Sequence, residues 1–245
     1  MIESAPPVTI AFRIPGSWSH PKELVRQLPA GYRLTGDHLI LPDRTEIEFG
    51  AGAPDEQFPG IFRQSLRNPA GADELAIVEG YKVNIFLKGP GGSLDAARTM
   101  MRAGAAIVQA GGAGVFIDNS TVAHGGSQWL NMAEDGSPDA LSFAFVAIIR
   151  GRTEIYTLGM HALGYPDIVM KRSDVEDGGF DIVDVIRYVA NGEKPVDHGH
   201  VIADLSSPRF VAHHSESDGQ LSGSPLGNPF GRLKLMSMRD IAESN

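Results

Sequence analysis

The chain has 245 residues, 42% hydrophobic and 21% charged, with a formal net charge of −9; such a composition excludes wholesale disorder. No basic run offsets the acidic balance, so nucleic acid is not an expected partner, because phosphate contacts need clustered Lys and Arg. The absence of cysteine excludes disulfides, thiolate metal sites and a cysteine nucleophile, and it suits a reducing compartment, the cytoplasm.

The first residues, MIESAPPVTIAFRIPG, carry no basic segment followed by an apolar run, so no signal peptide is expected. No stretch of about 18 apolar residues follows anywhere, so no membrane association is expected either. VTIAFRI alternates and predicts a strand ended by Pro15-Gly16. Ser17 or Ser19 would cap a short helix with Pro21 in its first turn. Two or three short strands should occupy YRLTGDHLILPDRTEIEFG, and a short helix the region of Phe58–Leu66.

Residues Val83 to Asp118 read as strand, glycine-rich turn, helix and strand. Leu94, Ala97, Met101, Ala105 and Val108 share one stripe, widened by Met100 and Ile107, with a narrow polar arc at Asp95, Arg98, Arg102 and Gln109. That pattern predicts a helix, Leu94–Ala110, buried over most of its circumference, with Ser93 as its cap. STVAHGGSQWLNM reads as a loop with a short helix near Gln128–Ala133. LSFAFVAIIRGRTEIYTLGM reads as a hairpin, YPDIVMKR as an edge-compatible strand, FDIVDVIRYVANGEKP as an amphipathic helix and Asp174, Glu176 and Asp177 as a solvated acidic loop. The tail predicts strands at HVIADL, RFVAHHS and GRLKLMSM, with a Gly/Ser/Pro loop at Asp218–Pro229.

Helix-crossed strand pairs mixed with hairpins predict an α+β fold: a mixed sheet with helices packed on one face and ferredoxin-like elements in the first half. No linker or repeat divides the chain, so residues 1–245 are expected to form a single domain. Region 141–245 is the part richer in antiparallel strands.

Three places offer chemistry. The Gly89–Ser93 turn precedes a helix, so the amides of Gly91, Gly92 and Ser93 form a candidate anion site. It lacks the third glycine of a dinucleotide fingerprint, Leu94 standing there, and Lys88 precedes the glycines, unlike a phosphate-binding loop. The same turn is similar to the oxyanion turn of Clp-type serine peptidases, which would make Ser120 the nucleophile. No glycine elbow or matching downstream His accompanies it. The bland alternative is a tight turn that seats a buried helix. Asp118, His124 and Trp129, near a strand end, are candidate ligand contacts, with Trp129 as a loop anchor the alternative. His198, His200 and His213 would form a metal site if a hairpin brought them together, but solvated loop histidines are the expectation, so no cofactor and no metal are predicted. Asn119-Ser120-Thr121 matches a glycosylation sequon by chance.

EIYTLGMHALGYPDIVM, Glu154 to Met170, resembles an uncharacterised bacterial family, the domain of unknown function numbered 4261. Thr157, Gly159, Met160, Gly164 and Asp167 fit that family's strand, turn and strand pattern, and Gly199-His200-Val201-Ile202 is similar to a later turn. Asp167 replaces its usual Glu, and Val201 its Thr. The resemblance, from Val8 to Met238, implies a small cytoplasmic bacterial protein and carries over no catalytic residues. The combined expectation is a non-catalytic binding or interaction domain that engages a protein partner; the alternative is a hydrolase or an anion- or nucleotide-binding enzyme that uses the Gly89–Ser93 turn. Apart from the family, Gly159 and Gly164 would bracket a sharp reversal between buried strands.

Overall fold

Strand β1 (Thr9–Gly16) buries Ile10, Phe12 and Ile14 on one face and sits near the middle of the first of two sheets. The computed structural model describes residues 7–176, 182–192, 196–203, 208–216, 221 and 223–243. After β1 come helix α1 (Pro21–Gln27) and strands β2 (Arg33–Leu34), β3 (His38–Ile40) and β4 (Glu46–Gly52). Helices α2 (Phe58–Ser65) and α3 (Ala72–Glu79), strand β5 (Val83–Pro90) and helix α4 (Leu94–Gln109) follow, then strands β6 (Gly114–Ile117) and β7 (Val122–Gly125). The order across this sheet is β2-β3-β4-β5-β1-β6-β7, and its paired strands run antiparallel. Strands β5 and β6 both oppose β1, so they run parallel to each other with β1 between them, joined by α4.

Helices α5 (Gly126–Asp135) and α6 (Pro138–Phe145) lead into the second sheet, built from β8 (Ala147–Arg150), β9 (Glu154–Leu158) and β10 (Asp167–Lys171). A 3-10 turn, Met160–Leu163, separates β9 from β10. Helices α7 (Arg172–Glu176) and α8 (Ile182–Asn191), strands β11 (Val201–Ala203), β12 (Pro208–Ser215) and β13 (Arg232–Ser237), and helix α9 (Met238–Glu243) complete the described chain. The order is β11-β12-β13-β10-β9-β8, with β10 and β13 parallel and the other pairs antiparallel. The fold is α+β, with its strands divided between two sheets.

One apolar cluster joins them. It takes Ile10, Phe12 and Leu87 from the first sheet, Met100 and Ile107 from α4, and Ile168 and Leu233 from the second. Helix α4 lies on β1 and β5 and packs against α5, α6 and the 3-10 turn. Its buried set includes Ala97, Met100, Met101 and Ala103 to Val108, as the stripe predicts. Gly104 lets the fully buried Trp129 ring come close: a methyl group there would stand 3.0 Å from its Nε1. A smaller aromatic cluster under α2 and α3 gathers Phe58, Phe62, Tyr81 and Phe116.

Several local readings change. Pro138–Phe145 is a helix and not the first arm of a hairpin. Ser137 Oγ accepts from Ala140 N, and Pro138 occupies the first turn, so the run LSFAF stays helical and the hairpin begins at Ala147. An apolar run of that length satisfies either a buried strand or a buried helix, and the cap decides. STVAHGG supplies β7 and the start of α5 in place of a loop. His20, and neither Ser17 nor Ser19, caps α1, its Nδ1 accepting from Lys22 N at 3.1 Å. Strand β10 is central, between β9 and β13, and not an edge. Asp174 belongs to α7; Asp177 and the start of the Asp218 loop lie outside the described residues. Among the described residues no helix is long and apolar enough to cross a membrane.

Candidate functional site

The Gly91 and Gly92 amides of the Gly89–Ser93 turn are bonded within the protein. Gly91 N donates to Val8 O and Gly92 N to Ala162 O, both at 3.0 Å, and Ser93 Oγ accepts from Ala96 N at 3.1 Å as the cap of α4. The turn therefore docks onto the 3-10 turn. Gly159 (φ +98°) and Gly164 (φ +92°) bracket that second turn in left-handed backbone. A Cβ on Gly164 would meet Gly92 O at 2.5 Å. The two glycine motifs, read separately in the sequence, interlock.

The other expected site residues are scattered, some in the core and some at the surface. Asp118 ion-pairs with Arg13 at 2.9 Å; burial raises its carboxyl and the Arg13 charge pulls it back. His124 is fully buried on β7, bonded to Ala144 O at 2.9 Å and to Gln128 Oε1 at 3.2 Å, and burial lowers its pKa. Trp129 donates to Met101 O at 3.2 Å and meets Phe12 edge-on. Ser120 Oγ is buried without a hydrogen-bond partner, so no imidazole holds it as a base would. His198 and His213 meet edge-to-face at 5.0 Å between ring centroids, while His200 lies beside the Tyr188 hydroxyl at 3.3 Å. Among the described residues no three His, Asp or Glu side chains converge as metal ligands.

A different set of residues forms a cleft. It opens between the start of β1, Lys88 on β5 and the Gly223–Pro229 loop, with a volume of about 530 Å³ and with Asn119 and His161 among its lining residues. Asn119 follows β6, where its carboxamide prolongs the ladder to β1: Oδ1 accepts from Ala11 N and Nδ2 donates to Thr9 O, both at 2.9 Å. Those two bonds fix which end of the amide is the donor. Nδ2 then meets His161 Nε2 at 3.1 Å and Pro225 O at 3.3 Å. His161 is 2% exposed, and its Nδ1 has no partner. Burial pushes its pKa down to about 4, against an upward pull from the Pro225 carbonyl. The imidazole is neutral at pH 7.

Behind the cleft, a buried carboxylate ties the loop to the second sheet. Asp167 Oδ1 accepts from Thr157 Oγ1 at 3.2 Å and from Met160 N at 3.3 Å. Its Oδ2 accepts from Asn228 Nδ2 at 2.9 Å. Asn228 also donates to Tyr165 O and accepts from Phe230 N, which anchors the loop end. Burial raises Asp167 to about 6, opposed by the bonds from Asn228, Met160 and Thr157 and by the Arg232 charge. Thr157, Gly159, Met160, Gly164 and Asp167 thus form one turn-and-carboxylate unit.

Asn119 and His161 stand 42 residues apart, and Asn119 stands 108 residues from Ala11. Sequence reasoning took the first as part of a sequon and gave the second no role of its own. The available signal was a polar ring set between two glycines, Gly159 and Gly164. No family model, curated protein or solved structure matches the chain.

Proposed function

We propose that this chain is a non-catalytic binding protein of the bacterial cytoplasm whose ligand seat is the cleft over Asn119 and His161. The observation that carries the reading is the cleft itself. A volume of about 530 Å³ lies within the range of small-molecule pockets, about 300–1,000 Å³, and apolar walls with a few placed polar groups are their usual chemistry. Its polar floor is held rigid by β1 backbone bonds, which suits recognition. The competing hydrolase reading needs an activated serine and free amides. Ser120 Oγ is buried without a base, and the Gly91 and Gly92 amides are engaged. Membership of the family numbered 4261 belongs to the same proposal; it is supported by the way the residues carrying the resemblance gather around Asp167.

The test is a fragment screen by saturation-transfer NMR on the wild type and on Thr9→Trp. Thr9 lines the cleft and its side chain is exposed, so the indole fills the cleft without entering the core. Fragments that bind the wild type and are lost in the variant are expected; binders indifferent to Thr9→Trp would place the seat elsewhere. A fluorophosphonate probe should leave the folded protein unlabelled, and labelling that disappears in Ser120→Ala would restore the hydrolase reading.

A further inference from the structure

Among the described residues that line the cleft, Lys88 carries the one formal charge. Its side chain is exposed and makes no ion pair among the described residues; Glu48, its register neighbour on β4, does not pair with it. The other polar lining side chains are neutral: the Thr9 and Ser224 hydroxyls, the Asn119 and Asn228 carboxamides and the His161 imidazole. Pro7, Val8, Ala11, Pro225 and Pro229 supply the apolar wall. The buried His161 imidazole lies in the same lining.

Resting on the binding reading above, we infer that the cleft takes a small monocarboxylate with an apolar body, its carboxylate on Lys88 and its body against the proline walls. One cation facing neutral groups matches one negative charge. A dianion would bring a second charge into a lining that offers it no counter-ion, in a chain whose net charge is already −9. Opposite charges at contact distance attract by about 1–4 kcal/mol across the dielectric range of a protein surface. An uncharged isostere keeps the wall contacts and loses that attraction.

The experiment titrates benzoate, benzamide and inorganic phosphate into the full chain, followed by amide shifts of Thr9, Ala11 and Gly227. Benzoate should bind at least about fivefold more tightly than benzamide, the ratio expected from a pair at the weak end of that range. Phosphate, without an apolar body, should bind more weakly than benzoate. Lys88→Gln should remove the preference for benzoate, and the exposure of Lys88 keeps that variant folded. Benzamide binding as tightly as benzoate, phosphate binding more tightly, or an unchanged benzoate affinity in Lys88→Gln would each overturn the monocarboxylate assignment. If those results came with fragments still displaced by Thr9→Trp, the cleft would remain a binding seat of another ligand class. An absence of benzoate shifts in the wild type overturns the assignment outright.

Discussion

His161 and Asp167 are buried six residues apart, in the 3-10 turn and at the start of β10, and burial moves their pKa values in opposite directions. His161 holds its proton less tightly folded than unfolded, at about 4 against its ordinary 6.5. Its contribution is therefore present above 6.5 and is lost as the pH falls toward 4. Asp167 holds its proton more tightly when folded, at about 6 against 3.8, so its contribution is present below 3.8 and is lost as the pH rises toward 6. Each amounts to about 3 kcal/mol over its window, and the two nearly cancel in the wild type. Asp167→Asn should expose the histidine alone, giving a protein that weakens on acidification from pH 6.5 to 4. His161→Gln should expose the carboxylate alone and strengthen over the same range. Urea unfolding at several pH values checks the pair, and parallel slopes in the two variants would contradict it. Asn119→Ala should cost about 2 kcal/mol at any of these pH values, since it strands Ala11 N and Thr9 O at the edge of β1. That carboxamide is 3% exposed and bonded on both ends, so the sequon it opens is closed to modification in the folded chain. Of this, the sequence showed only Asp167 in its motif and the glycines that flank His161. A side chain that completes a ladder 108 residues away leaves no local pattern.

At the scale of elements, legibility followed how much of each signal was local. Helix α4 announces itself because its stripe, its Ser93 cap and its small residues all lie within one segment and agree. Helix α6 does not, because its apolar face fits two periods and only Ser137 and Pro138 decide between them. The reversal at Gly159 was readable as a turn, although its partners were not. A Cβ there would meet the Phe145 carbonyl and stand 2.8 Å from Ser120 Cβ, on backbone at φ +98°. Gly159→Val should cost about 3 kcal/mol or more. That corresponds to a melting temperature lower by about 6–12 °C for a chain of this size, if the protein is recovered at all. Gly36→Ala is the control: nothing lies within 4 Å of its Cβ position and its φ is ordinary, so its melt should be unchanged within about 0.5 kcal/mol.

At the scale of the molecule, the apolar cluster runs without a break from Ile10 on β1 to Leu235 on β13. Two sheets that share one core should unfold together. Trp18 and Trp129 both report from the packing around α4, where they donate to Ala110 O and Met101 O, whereas far-ultraviolet circular dichroism reports from all of the chain. The two signals should give one coincident transition in urea; separated midpoints would mean that the sheets part independently. The α+β class was readable because it depends on the order of helices and strands. The division into two sheets was not, because strand pairing such as β10 with β13 is set by contacts distant in sequence. The contact between Gly92 and Gly164 has a consequence for anyone who cuts the chain. The backbone of one bend occupies the volume in which any larger residue of the other would have to sit. Two fragments severed between α4 and β9 and mixed in solution should regain a cooperative urea transition only as a matched pair, and Gly164→Val on the second fragment, whose Cβ would meet Gly92 O at 2.5 Å, should block reassembly.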